Sequence, residues 1–487
     1  MKDADSGRWW TLAFFVAALL GYLWRNDFPY FYHSDEESKA MQILHGYRNY
    51  WHPLLLINAT DLLATVLQVG KDPQRITELG RVLSAVFAAI GVGAMVRLGF
   101  WHNGRWGGIL TGVFLLTCPL LFEVAHYAKE DAGLFMGLAL TLAAGTRFWQ
   151  VPQRSGIVVL GVAIGLAISA KFPGLILLPV GLAVVLLKTR KWPPVCWFFL
   201  IVLATVLTIN WQWTYEFPKV LAGFQREKSL LTGGHDGIKG SLPHAIYFDL
   251  LKNYLGRPLL ALAVVGAGWR MIQLRRITLE GYLGGAVAFL LVVMSYSPKV
   301  SDRYLLPVLV MLLFLAAQAV VELSRLPRRS WLAWVAIVWG LWGLWVPVKR
   351  LDGTLADFRR DSRAELMQFV QTHFPGKNRI ATSLWTRLPG DYRGWYFTKE
   401  KPLDFVADAG TLDELRARGF HFVAVADVEQ MRFRAHDTSA SSLQEDVFRK
   451  RRTFYEDLEK NADQVWHVPQ GLVYTLHPGL SLYRLAD

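Results

Sequence analysis

Trp9-Trp-Thr-Leu-Ala-Phe-Phe-Val-Ala-Ala-Leu-Leu-Gly-Tyr-Leu-Trp24 is closed by Arg25-Asn26-Asp27 and followed by Phe31-Tyr-His-Ser-Asp-Glu-Glu-Ser38. The first stretch is an apolar run flanked by tryptophans and charges, as a membrane span is. The second puts three consecutive acids, Asp35, Glu36 and Glu37, just beyond it. Carboxylates are costly in hydrocarbon and useful where they face a reactive cavity. The pair of stretches therefore poses two questions: how many more spans follow, and what the acids face.

Apolar runs of about 15 to 20 residues recur as far as Pro347, matched to a hydrocarbon core of about 30 Å. Of the 487 residues, 53% are hydrophobic and only 19% charged, and there are 20 tryptophans. The spans expected are 9–24, 79–98, 106–122, 131–149, 156–170, 172–187, 195–212, 258–270, 279–296, 304–322 and 331–348. After Lys349 charges appear every few residues to Asp487. The fold class is thus a polytopic α-helical membrane protein of about 11 transmembrane helices (residues 1–348) with a small soluble C-terminal domain (349–487). The N-terminal run ends without a small-x-small cleavage site, which reads as an uncleaved span.

The net charge of +13 is concentrated in short connections. Arg97 and Arg105, Arg147 and Arg154, Lys188 with Arg190 and Lys191, Arg270 with Arg275 and Arg276, and Arg325 with Arg328 and Arg329 all fall on one side if the N-terminus is cytoplasmic. No basic stripe interleaved with aromatics suggests nucleic acid. Cys118 and Cys196 lie in apolar runs and read as packing residues. The opposite, outer side then holds the loops 25–78 and 213–257, the turns near 123–131, Lys171 and 297–303, and everything after Lys349. In a bacterial inner membrane that side is the periplasm.

Within loop 25–78, Asp35–Gly46 and Leu54–Val69 read as short helices on the membrane surface, the first capped by Ser34 with Glu37 three residues on. The tail alternates helical segments (Ser362–His373, Thr411–Arg418) with β-rich ones (Arg379–Ser383, His421–Ala426, Leu480–Leu485), as a small α/β domain does.

Two acidic clusters share the outer face, Asp35-Glu36-Glu37 and His126-Tyr127-Ala128-Lys129-Glu130-Asp131. Paired carboxylates can serve as general base and positioning acid, or hold a divalent cation. Lys299 and Arg303 oppose the positive-inside bias and so suggest anionic partners, either a phosphate, the natural one, or Asp302 locally; Lys171 marks a turn between two spans, as a basic site residue or an interfacial lysine. His33 and His126 each adjoin an acidic cluster. No Walker A or dinucleotide-binding glycine pattern is present, so no nucleotide is implied. Gly233–Gly240 could form a substrate lid.

In order, these elements resemble the GT-C glycosyltransferases that use a polyprenyl-phosphate sugar, the protein O-mannosyltransferase and lipid A aminoarabinose transferase group. The matching elements are Asp35-Glu36, His52-Pro53-Leu54, Glu78-Leu-Gly-Arg81, Lys129-Glu130-Asp131, Gly165-Leu-Ala-Ile-Ser-Ala-Lys171 and Arg303-Tyr304-Leu-Leu-Pro307. One proline follows His52 where the family has two. The resemblance covers about the first 325 residues. It implies an inverting transfer from a polyprenyl-phosphate-linked sugar donor to an acceptor hydroxyl, with Asp35 as base and Glu36 as a second candidate. Asp131 would position the acceptor or orient a basic residue. His52, Lys129, Lys171, Lys299, Arg303 and Tyr304 would bind the lipid phosphate and sugar, supported by His33, His126 and Arg81. Such donors require no cofactor, although a divalent metal is compatible with the acids. Two other readings are a flippase or transporter of lipid-linked sugars, and a membrane-anchored binding protein. Transporters place ionisable groups near the midplane and often show repeated halves; here the charges sit at span ends.

Overall fold

A computed structural model of the chain describes residues 2–27, 34–233, 238–239, 243–274, 279–297, 301–325, 330–376, 379–383, 385–386, 403, 405–434, 439–440 and 445–485. The helices of the apolar part are α1 (Lys2–Leu23), α2 (Ser34–Leu44), α3 (Leu55–Val66), α4 (Pro73–Leu116), α5 (Pro119–Ala125), α6 (Glu130–Gln150), α7 (Arg154–Ala170), α8 (Leu177–Thr189), α9 (Trp192–Ile209), α10 (Phe217–Gly233), α11 (Pro243–Leu274), α12 (Leu279–Ser295), α13 (Leu306–Ser324) and α14 (Ser330–Asp357). Among the described residues, five segments are long and apolar enough to cross a membrane: α4, α6, α9, α8 with the 3-10 turn before it, and α13 with its own. The chain is a multi-pass membrane protein.

Two expected spans, 79–98 and 106–122, are arms of α4, which turns back on itself at Asn103-Gly104. Gly104 has φ +69° and ψ −157°, a conformation open to glycine and closed to residues with a Cβ. The arms then pass so closely that a Cβ on Gly99 would lie 2.5 Å from the Gly107 carbonyl oxygen. The second arm stops at Leu116, and Pro119 opens the separate short helix α5. The span expected over 106–122 is therefore broken near Thr117, because Pro119 has no N–H to continue the ladder.

Burial sorts the helices. The apolar window of α13 is 89% buried, against 17% for α8 and for α9. A helix apolar on every side suits both places, since hydrocarbon and protein interior are alike to it. α13 forms the axis of the bundle, packed by α4, α11, α12 and α14, and α8 and α9 lie at its exposed edge. Segment 213–257, expected as a loop, is largely helical: α10 occupies it, and α11 begins at Pro243 and runs through a kink at Gly256 (φ +71°). The lid expected at Gly233–Gly240 falls mostly outside the described residues.

The tail forms a four-stranded mixed sheet. Its strands are β1 (Ile380–Ala381), β2 (Phe422–Ala426), β3 (Asp463–Val468) and β4 (Leu480–Arg484), in the order β1-β2-β4-β3. β1 runs parallel to β2, and the other neighbours are antiparallel. Helices α15 (Ser362–His373), α16 (Leu412–Ala417), α17 (Asp427–Arg434) and α18 (Glu445–Asn461) cover it. Alternation along β2 sends Val423 and Val425 to one core with Tyr455 and Leu458, and Phe422, Ala424 and Ala426 to another with Leu366 and Val370. Period-2 side-chain geometry thus makes a layer between two sets of helices. α14 continues past residue 349 to Asp357, so the polar region begins inside a helix. Phe358, Val473 and Leu476 pack into the same core as Phe122 and Leu305 of the membrane part.

Candidate active site

The site lies at the end of the bundle that carries the C-terminal domain. Its foundation is Arg81 of α4, whose guanidinium is wholly buried. Nε and Nη2 each donate at 3.0 Å to a different oxygen of Glu36, and Nη1 donates to the Asn26 carbonyl at 3.2 Å. The Ala128 N–H adds a third donor to Glu36 at 2.8 Å. A bidentate Arg–carboxylate pair with additional hydrogen bonds is the arrangement that tolerates burial. It ties the end of α1, the first turn of α2, α4 and the 126–131 turn together. Both oxygens of Glu36, the second candidate base, are engaged in this way.

Asp35, one residue earlier on the helix, points elsewhere. Its side chain is 43% exposed, and Oδ2 accepts from the buried Lys129 ammonium. One turn on, Lys39 pairs with Glu130 at 3.1 Å. Asp131 Oδ1 accepts from Lys171 at 2.7 Å, and its Oδ2 stands 4.0 Å from Arg303 Nη1. Neither Asp131 Oδ2 nor Arg303 Nη1 has a hydrogen-bond partner among the described residues. Lys171 also lies 5.3 Å over the Tyr304 ring. Burial works against the Lys171 ammonium, but the Asp131 carboxylate, then Tyr304, outweigh it and hold its pKa above the ordinary lysine range. Asp131 is in the first turn of α6 rather than at its cap, which Lys129 occupies without a side-chain bond; α6's macrodipole favours both acids there.

His52, just before α3, faces this group. Burial pushes its pKa below the usual histidine range; Glu130 opposes that, while Lys171 and Lys39 reinforce it. His126 belongs to a different environment. It is buried between Phe122 and Phe358 at 4.2 and 4.7 Å, with Nδ1 2.7 Å from the Phe122 carbonyl and Nε2 2.9 Å from that of Trp24. Burial lowers its pKa to about 4. It packs between α5 and the residue that follows α14, with Arg81 close enough to act on it electrostatically. His33 and Lys299 lie outside the described residues.

Paired in this way, Asp35, Glu130 and Asp131 meet Lys39, Lys129, Lys171 and Arg303, four cations against three carboxylates among the described residues. Among the described residues, no group of three or more His, Cys, Asp and Glu side chains is arranged to hold a metal ion.

Sequence reasoning missed several neighbours. Lys39 was legible as the i+4 partner of Asp35 on α2. Glu123 was not. It accepts from the Tyr127 hydroxyl at 2.7 Å, and burial, then Asp302, raises its pKa to about 8. Tyr254 donates to Asp302 at 3.0 Å, and the Arg350 guanidinium sits 4.2 Å over the Tyr254 ring. This second polar knot adjoins the first through Arg303, and it draws on α5, α11, the 3-10 turn before α13 (Asp302–Leu305) and α14, which no local spacing connects.

Known proteins resemble the chain in part and in whole. A sequence model of the dolichyl-phosphate-mannose-protein mannosyltransferase family matches residues 59–213. The undecaprenyl phosphate-alpha-4-amino-4-deoxy-L-arabinose arabinosyl transferase of Enterobacter sp. (strain 638) is 28% identical over 142 residues, 27% of this chain and 25% of that protein. The match therefore spans about a quarter of the relative's length. ArnT from Cupriavidus metallidurans, solved bound to undecaprenyl phosphate, superposes with TM-score 0.54 at 17% identity, covering 97% of this chain and 98% of that one. The archaeal oligosaccharyltransferase AglB from Archaeoglobus fulgidus, solved with an inhibitory peptide and a dolichol-phosphate, gives TM-score 0.52 at 10% identity, over 86% and 69%. The fold is that of the GT-C glycosyltransferases.

Proposed function

We propose that this protein is an inverting glycosyltransferase that moves a sugar from a polyprenyl-phosphate carrier to an acceptor hydroxyl at the outer face of a bacterial inner membrane. The observation that carries the reading is the contrast within the site. Asp35 has a side chain 43% exposed, while Lys129, Lys171 and Arg303 stand around it and Asp131, and Arg303 Nη1 has no hydrogen-bond partner among the described residues. The relatives in whose company the fold places the chain act on, or were solved with, polyprenyl phosphates.

In the reaction, Asp35 accepts the acceptor's hydroxyl proton as that oxygen attacks the anomeric carbon from the face opposite the phosphate. The bond from the anomeric carbon to phosphate oxygen breaks, and its electron pair leaves with the polyprenyl phosphate. Negative charge grows on the leaving phosphate, so Arg303 and Lys171 stabilise the transition state more than the ground state. Asp131 holds both cations toward it. His52 and Tyr304 line the sugar side, with the imidazole available as a hydrogen-bond partner. The N-terminus is cytoplasmic in this orientation, and the C-terminal domain shares the outer side with the site.

Mass spectrometry of lipids co-purified with the protein tests the donor class. A polyprenyl phosphate bearing one sugar is the expected result; phospholipid alone would count against the reading. Ion pairs already neutralise each site acid, so we propose that no metal is needed. EDTA should leave release of polyprenyl phosphate unchanged, and restoration by a divalent ion after chelation would overturn this point.

A further inference from the structure

The connection into β4, residues 471–477, belongs to the C-terminal domain by sequence but is built into the membrane part. It closes on itself, with Gly471 N–H donating to the His477 carbonyl at 2.9 Å and His477 N–H to the Val473 carbonyl at 3.0 Å. Val473 N–H donates to Asp357 at the end of α14 at 2.7 Å, and Arg363 Nη2 to the Leu476 carbonyl at 3.1 Å. Val473 and Leu476 are buried in the main membrane-domain core. The strap is thus fixed at both sides, and it presents Thr475 to Tyr127.

The Tyr127 hydroxyl, fully buried, donates to Glu123 and lies 3.0 Å from Thr475 Oγ1. With its proton committed to Glu123, the phenol accepts from the threonine hydroxyl. Tyr127 begins the turn whose next residues are Ala128, donor to Glu36, Lys129, partner of Asp35, and then Glu130 and Asp131. Every charged group the transfer uses on that turn lies within four residues of the contact.

We infer that the 471–477 strap sets the position of the catalytic turn 127–131, with Thr475 and Tyr127 as positioning residues and the C-terminal domain a working part of the transferase. This rests on the proposed transfer reading. Small displacements of a base or its partners are costly to a reaction that depends on alignment, up to about 10²-fold per 1 Å.

The test is Thr475→Val, read by release of undecaprenyl phosphate from a lipid extract of the producing cells and by hydrogen exchange over peptides covering 123–131. The turnover number should fall about tenfold, with half-saturating lipid concentration within about twofold, faster exchange in the turn, and little change in melting temperature. Thr475→Ser, which keeps the hydroxyl, should restore most of the loss. Should Thr475→Val fail to fold, Thr475→Ala removes the same hydroxyl, leaves the Tyr127–Glu123 hydrogen bond in place, and should show the same pattern. A folded Thr475→Val with wild-type turnover overturns the inference, as does loss of turnover that serine does not restore. A wild-type protein that releases no undecaprenyl phosphate overturns the transfer reading instead, while faster exchange in the turn still reports the contact itself.

Discussion

Asp35 and Glu36 are neighbours in sequence and differ in almost everything else. A step of one residue along a helix turns the side chain by about 100°, so Glu36 faces Arg81 and Asp35 faces the open side. Asp35→Asn should lower transfer by about 10²- to 10⁴-fold with the protein still folded, measured as polyprenyl phosphate released per folded enzyme. Glu36→Gln should instead act on stability. It leaves the buried Arg81 guanidinium without a counter-charge, at a cost of about 3–5 kcal/mol, seen as a lower melting temperature in detergent. The acids were visible from sequence as a cluster hard against a span. Their division of labour was not, because it depends on Arg81, which lies 45 residues away and meets Glu36 only through tertiary packing. His126 is alike in this: its adjacency to Lys129-Glu130-Asp131 in sequence says nothing of Phe358, whose ring lies tilted beside it.

Helices of this bundle meet through small residues. A Cβ on Gly137 of α6 would lie 2.5 Å from the Ala167 Cβ and 2.7 Å from its backbone nitrogen on α7. Contact of this kind brings two backbones together without voids. Gly137→Val should cost roughly 1–3 kcal/mol by overpacking, measured by thermal unfolding, and should disturb Lys171 at the end of α7. Glu123, near the C-terminal end of α5, has a shifted pKa. Glu123 is held protonated to about pH 8, far above the ordinary carboxylate range. The folded state therefore binds the proton more tightly than the unfolded state, and stability falls as pH rises between the two values and then levels. Glu123→Gln keeps a neutral group at the Tyr127 hydroxyl. Its melting temperature relative to wild type should rise steadily from about pH 5 to pH 8. Apolar runs revealed the spans because hydrocarbon demands them. They could not reveal that one span breaks at Pro119, or that α10 and the start of α11 fold outside the spans, where polar residues form helix without a strong apolar pattern. In the tail, strands of buried alternating residues such as β2 were legible, whereas the long polar helix α18 was not.

At the scale of the whole molecule, ion pairs and hydrogen bonds gather the ends of α1, α2, α4, α6 and α7 at one end of the bundle, and the C-terminal domain packs against that end rather than hanging from it. The order of the chemical elements along the chain made the GT-C arrangement recognisable over roughly its first two thirds. The tail carried no motif, and its part in the site shows only in contacts such as Tyr127 with Thr475 and Asp357 with Val473. α14 joins the two parts as one helix from Ser330 to Asp357. Each residue added to or removed from such a rod turns whatever follows by about 100° and shifts it by about 1.5 Å along the axis. The length of the α14 junction is therefore a phase setting. Chimeras that exchange the tail between relatives should work when the splice conserves residue count through Asp357, and should misdock when it differs by one or two residues even if every side chain at the interface is kept.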